Sequence, residues 1–395
     1  MQGKNVWKGA PVLVFNLRLI LNSAVILPVR ALGAGLLWLA CAAQAGPLTV
    51  KPLSYKGSLP YVQSDNAQLA QRINNLIYLD MLELPPPAKL QDGLKEKKVE
   101  EGMQPTSDLS FEVGRNDERI LALSISAEGC GAYCEHYTRQ FNFDANTGRH
   151  VVASDIFTSA GAVTLMKQLS TMRLARVKTE IARMRDDAKA HGAKTAAAKD
   201  KAQLKDDEAG FNEAIEMYEQ CAASIMDPEM AKYRTIDTDE MKIGNNAITF
   251  IRGRCSIHAL RALDNLDEIA HTLSLKDLAL YLNDYGRSLL LSGGGNALAV
   301  GGPFNQVLIG KIGQAPITLR LGARNTDDTV SGTYYYHKYR TPIPLFGKVI
   351  GNTLAMEESE SKDQTLPVIR AAISGESLKG QWVGSGKQIA FEAGP

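Results

Sequence analysis

The sequence lacks every motif that marks the common catalytic families. It has no HExxH, no GxSxG, no phosphate loop ending in Gly-Lys-Ser/Thr and no kinase set. Histidine is scarce. The six copies, His136, His150, His191, His258, His271 and His337, stand too far apart for any two to share a helical i,i+4 face, so a zinc-dependent hydrolase has no local ligand pair to start from. Bias in charge is missing as well. With 44 Lys+Arg against 43 Asp+Glu, the chain lacks the basic footprint of a nucleic-acid-binding domain, and no nucleic-acid partner is expected. Acidic residues are absent before Asp65.

That last absence has a reason. Behind Arg30 runs ALGAGLLWLACAAQA, residues 31–45, an apolar core closing on Ala43-Gln44-Ala45. A positive charge, a short apolar run and an A-x-A close are the parts of a secretory signal. The run falls short of the roughly 20 residues a membrane-spanning helix needs, so residues 1–45 are expected to be removed, leaving no transmembrane anchor. The stretch before Arg30, with Pro11 and Pro28, is long for a signal's basic region and fits a start assigned too far upstream. Cys41 at the end of the apolar core offers the alternative of a lipid anchor, although Trp38 stands where lipoproteins usually carry Leu. The expected location is periplasmic or secreted.

Beyond the signal, four of the five cysteines remain: Cys130, Cys134, Cys221 and Cys255. An even number in an exported chain reads as disulfides, with Cys130–Cys134 and Cys221–Cys255 as the favoured pairing. The alternative is a zinc-stabilised module, since His136 follows Cys134 and two residues separate Cys255 from His258. The disulfide reading implies no cofactor and no resident metal.

Along the chain, Leu69, Ile73, Leu76, Ile77 and Met81 recur at helical spacing and stop at Pro85-Pro86-Pro87. Alternating apolar residues on either side of Gly114-Arg115-Asn116-Asp117 predict a hairpin, and Phe141 and Phe143 before the Asp144–Gly148 turn predict a further strand. Residues 161–226 read as a helical insertion, with an apolar stripe through Leu165, Leu169, Met172, Val177, Ile181 and Met184. Basic residues outnumber acidic ones over the first two thirds of it, a pattern that usually marks a solvated helix face. A second helix is expected around Phe211–Ile225. SGGGNALAVGGP, residues 292–303, is uncharged and reads as a linker.

Phe141-x-Phe143-Asp144-x-x-Thr147-Gly148, followed by Asp155-Ile156-Phe157, resembles an exported bacterial domain of unknown function. That domain is shared by lysozyme-sensing anti-sigma factors and the N-terminal region of some peptidoglycan deacetylases. SLKDLALYLNDYG, residues 274–286, is similar to its closing helix. The resemblance covers roughly residues 60–290 and implies an α+β fold and a target at the cell envelope, either a wall glycan fragment or a partner protein. The family's Gly-Gly-Ala-His turn reads here Cys130-Gly131-Ala132-Tyr133, so Tyr133 replaces the histidine.

After residue 303 the period becomes two. About eight short alternating segments separated by Gly, Asn or Asp predict an antiparallel meander or small barrel over 304–395. The phrases GKIGxxPITL, GTYYY and PLFGK resemble a β-domain of other exported, uncharacterised bacterial proteins. The expected fold class is therefore α+β over 46–291, then all-β. Candidate binding residues are His258 and Arg261, one helical turn apart in CSIHALRALD, and the aromatic set Tyr334, Tyr336 and Trp382. Tyr335 faces the other way from Tyr334 and Tyr336, and half of such a run is expected in the core. The reading that follows is a non-catalytic envelope-binding protein. The alternative is a glycan hydrolase or deacetylase with a site dispersed over His258, Asp155 and Glu135.

Overall fold

The computed structural model describes residues 48–395 apart from 95–103, 131–133, 196–200, 233, 296, 300 and 359–365. The chain is an α+β assembly followed by a closed antiparallel β-barrel.

It opens with the hairpin β1 (Thr49–Ser54) and β2 (Ser58–Gln63) and the helix α1 (Ala67–Leu82). Asn66 caps α1 by accepting the Leu69 amide at 3.1 Å, and Glu83 ends it in the left-handed region, φ 53°, ahead of the three prolines. Leu69, Ile73, Leu76 and Ile77 all turn inward. Their partner is one face of a three-stranded sheet, β3 (Gln104–Asn116), β4 (Ile120–Cys130) and β5 (Cys134–Asp144), through Leu121, Leu123, Ile125, Phe141 and Phe143. Full burial of each such side chain contributes about 1.5–3 kcal/mol. The β3–β4 turn sits two or three residues later than its glycine suggests. Asp117 closes it by accepting the amides of Arg119 and Ile120, while Gly114 falls at a register shift inside β3. The Asp144 turn needs its glycine: Gly148 has φ +68°, and a Cβ there would lie 2.9 Å from the Leu69 carbonyl.

The other face of β4 meets a second core. It is formed by the turn α2 (Ala153–Ile156), the start of α3 (Ser159–Thr195), and, beyond α4 (Lys201–Met226) and α5 (Pro228–Lys232), the sheet β6 (Glu240–Ile243), β7 (Ala247–Arg252) and β8 (Ile269–Ser274). Asn142 stitches the two sheets, donating to the Met241 carbonyl at 2.5 Å and accepting the Ile243 amide at 3.0 Å. The segment expected as one closing helix is two short ones, α6 (Leu275–Leu278) and α7 (Asp284–Leu290). Asn283 breaks it by capping α7 through the Gly286 amide at 2.8 Å. The helical hairpin α3–α4 carries a small core of its own, with Val177, Ile181, Met184, Met217 and Tyr218 against Ile269.

The barrel strands are β9 (Val307–Ile312), β10 (Ala315–Arg324), β11 (Thr329–Tyr336), β12 (Ile343–Ile350), β13 (Thr353–Glu358), β14 (Val368–Ser374), β15 (Ser377–Gly384) and β16 (Lys387–Gly394). Each pairs with its neighbour in sequence, and β16 pairs back onto β9, which removes both sheet edges. Inward positions hold Leu308, Ile317, Leu319, Leu345, Met356 and Phe391, so the interior is filled by side chains. Gly347 and Gly380 sit where a Cβ would meet a neighbouring strand's backbone at 1.9 Å, and these close approaches let an eight-stranded sheet curl shut.

Candidate functional site

The structure pairs Cys130 with Cys134 and Cys221 with Cys255. The first pair closes the tip of β4–β5, with Cα atoms 4.0 Å apart; the turn residues 131–133, Tyr133 included, lie outside the described residues. The second ties α4 to the loop after β7. Glu128 lies beside Cys130 and Cys134, but sulfurs bonded to each other are not thiolate ligands. Two disulfides belong to an oxidising compartment outside the cytoplasm. Among the described residues no helix is long and apolar enough to cross a membrane. The signal segment 1–45 and Cys41 lie outside the described residues.

The residues nominated from sequence scatter. His258 opens a 3-10 turn over His258–Leu263, and its side chain lies outside the described residues. Arg261 pairs with Asp267 at 3.0 Å and reaches Glu135 at 3.7 Å. Glu135 is also the ion-pair partner of Arg254. Asp155 is elsewhere, bound to Arg149 at 2.6 Å, so Asp155 and Glu135 share no site. Tyr334, Tyr336 and Trp382 do come together at one end of the barrel around the buried Glu358. That carboxylate accepts from Tyr334 at 2.7 Å and from Trp382 Nε1 at 2.8 Å, and Tyr336 meets Tyr334 edge-on at 5.5 Å. Tyr334, 1% exposed, is a core residue and offers no stacking face. Its hydroxyl points inward because alternation along β11 sends Tyr335 out to Asn75 of α1 instead.

A buried charge network joins the barrel to the rest. Glu376, in the β14–β15 turn, takes Arg149 on one oxygen and Arg72 of α1 on the other, the latter at 2.8 Å; Arg149 then grips Asp155. Gln306 completes the seam, accepting from Arg72 at 3.2 Å and donating to the His150 carbonyl at 2.8 Å. Gly301, in the segment before the barrel, lies so close that a Cβ would touch Arg149 and Asp155.

Next to this seam is a cleft of about 470 Å³ between α1, β5, the β6 region and the barrel, where Asp80, Asp237, Asp239, Glu240 and His150 converge. Most of its charges are neutralised. Asp80 holds Arg320 through both oxygens at 2.7 and 2.9 Å, Glu240 holds Arg139 at 2.9 Å, and Asp239 holds Arg173 and Arg252. Asp237 accepts the Ser154 amide at 2.8 Å, and burial raises its carboxyl pKa. His150 places Nδ1 3.2 Å from the Asn305 carbonyl; burial, with Arg320 adding to it, pushes its pKa down to about 4.

On the far side of Asp239 is a different cavity, of about 380 Å³, between α3, α4 and the strands β7 and β8. Arg173, Arg234, Arg252 and Arg254 line it, and the Cys221–Cys255 disulfide forms part of its wall. Among the described residues no carboxylate lines it. Arg234 donates to the Ser224 and Ile225 carbonyls at 2.7 and 3.2 Å, at the C-terminal end of α4. Burial, reinforced by Arg252, lowers the pKa of Arg234.

No family model and no curated protein matches the chain. Among solved structures it is similar to a Bacteroides fragilis member of the DUF3298 family, a domain family of unknown function, at 12% identity and a TM-score of 0.33. That likeness covers 61% of this chain and 95% of the other.

The segment CSIHALRALD points to His258 and Arg261, whereas Arg252 and Arg254, which line the cavity, stand just before it. The density of arginine beside Cys255 was the available signal. Arg173 and Arg234 join from separate segments and carry no spacing that a motif could detect.

Proposed function

We propose that the chain is a non-catalytic binding module of the cell envelope, periplasmic or secreted, that takes up a wall fragment. In this reading residues 46–291, with the helical insertion, form the binding domain, and the barrel is a rigid partner held to it by the Glu376 network. One observation carries the choice of binding over catalysis. The cleft where carboxylates and a histidine converge has Asp80, Asp239 and Glu240 in ion pairs and a His150 that stays neutral at physiological pH. General acid–base work needs a pair whose protons are free to move near the operating pH; of the carboxylates lining the cleft only Asp237 and Glu83 stand outside the ion pairs among the described residues, and Asp237 is bound to the Ser154 amide. The dispersed-site alternative is further weakened by the separation of Asp155 from Glu135.

The test is to incubate the protein with purified peptidoglycan fragments and follow both partners. Saturable binding with every fragment's mass unchanged supports the reading. Released acetate or new reducing ends would overturn it in favour of a glycan-acting enzyme, and saturable binding to lysozyme alone would move the target to a protein.

A further inference from the structure

The arginine cavity is the feature of the molecule left least explained by folding. Four guanidiniums line it; Asp239, shared by Arg173 and Arg252, and Glu135, paired with Arg254, stand behind them, and Asp227 and Glu268 act on Arg234 and Arg254 from farther off. Among the described residues Arg234 is held by backbone carbonyls and not by an ion pair, so its charge is the one left open to the cavity. Arg173 is 3% exposed, and its Nε–H finds no acceptor among the described residues. A buried donor without a partner costs about 1–3 kcal/mol unless something fills the place. The same field is felt on β8, where burial and then Arg173 and Arg176 hold the pKa of His271 down. Beside the guanidiniums the wall is apolar: Met217, Ile225 and Ile257 line it, and Ile257 is 67% exposed. A large exposed aliphatic next to clustered arginines is poor design for bare solvent and good design for an amphiphilic ligand.

We propose that this cavity is a binding site for a small ligand carrying one oxyanion, a carboxylate or phosphate, joined to a short apolar portion. Guanidinium presents parallel N–H donors that match such oxyanions in bidentate fashion. Arg252, Arg234 and Arg254 are the partly exposed members: Arg252, held by Asp239, and Arg234 meet the anion, the open Nε–H of Arg173 gives it a further donor, and Arg254, paired with Glu135, supplies field and shape. The apolar portion lies against Ile257 and Ile225. This inference rests on the binding-module reading and deepens it, since peptide stems of wall fragments end in carboxylates beside small apolar side chains.

The experiment is titration calorimetry of the full chain with three probes: N-acetyl-alanyl-alanine, its C-terminal amide, and inorganic phosphate. The acid is expected to bind saturably and the amide at least about tenfold more weakly, the effect of one charge-assisted pair. Arg252→Gln and Arg234→Gln should each weaken the acid by a similar factor. Arg234→Gln guards against a folding artefact, because it leaves both ion pairs of Asp239 in place. Phosphate binding in preference to the dipeptide would assign the site to a phosphate ester. Equal binding of acid and amide, or affinity unmoved by both variants, would overturn the proposal. So would failure of both acid and phosphate to bind in the millimolar range. Wall fragments that bind both variants as well as wild type would overturn the pocket and leave the binding-module reading standing. Probe binding without fragment binding would support the pocket and overturn that reading.

Discussion

The two disulfides close loops of very different length, and this difference sets their stabilities apart. Cys221 and Cys255 are 34 residues apart in sequence, Cys130 and Cys134 only 4. Loop-closure entropy in the unfolded chain gives about 3.8 kcal/mol for the first and about 2 kcal/mol for the second. The longer bridge also has more to hold. The α3–α4 hairpin rests on the molecule through a small core around Tyr218 and Ile269, with Tyr218 anchored to Asp264 at 2.7 Å. We expect Cys221→Ser/Cys255→Ser to lower the guanidinium midpoint by about 1 M at a slope of about 4 kcal/mol/M, and Cys130→Ser/Cys134→Ser by about half that. Denaturation without reductant, followed by circular dichroism, measures both, and amide exchange locates the loss. Exchange in the first variant should rise first along α3 and α4. A short-bridge variant that cost as much as the long-bridge one would refute the reasoning, as would faster exchange spread evenly over barrel and hairpin.

Glu376→Ala leaves the buried Arg72 and Arg149 without their shared carboxylate and is expected to cost about 2–4 kcal/mol, toward the low side for a buried pair because Glu376 is partly exposed. Barrel and α+β signals should then unfold at separate midpoints, and coincident midpoints would contradict a coupling role for this network. His150, with its pKa depressed to about 4 by burial and Arg320, resists protonation in the folded chain while the unfolded chain takes a proton near pH 6.5. Its contribution is therefore full above pH 6.5 and is lost as pH falls through 4, at up to about 1.4 kcal/mol per pH unit; His150→Gln should flatten stability over that window. Tyr334→Phe removes one of two donors to Glu358 and should cost about 1 kcal/mol in thermal unfolding, because Trp382 still satisfies the carboxylate.

What could be read in the sequence was what repeats or lies close along the chain. The barrel announces itself because each strand alternates and each turn carries its own Gly, Asn or Asp, so neighbours in sequence become neighbours in space. The α1 stripe is legible for the same reason, as is the Asp144–Gly148 turn. Details failed where a local choice had two solutions. The β3–β4 turn went to Asp117, which satisfies two amides, and left Gly114 to a bulge. Asn283, an ordinary residue inside an apparently helical run, became a cap because its side chain could take the Gly286 amide.

The parts that bear on function belong to the other kind of information. Arg72 meets Glu376 across 304 residues, and Arg173 meets Asp239 across 66, so neither pair leaves a trace in spacing or composition. Net charge near zero hides them further: a chain with balanced charges can still concentrate four arginines in one cavity if their carboxylates are placed behind the wall. This arrangement makes a physical demand. Asp239 is buried, and it is tolerable only because two guanidiniums neutralise it; those guanidiniums are in turn fixed in place, facing a cavity that no carboxylate among the described residues lines. A site built in this way is stiff before any ligand arrives, since its side-chain entropy is already spent in folding. Its anion selectivity follows from the ion pairs that hold it, and those ion pairs, together with the Cys221–Cys255 bridge in its wall, are where the fold and the proposed binding activity depend on the same residues.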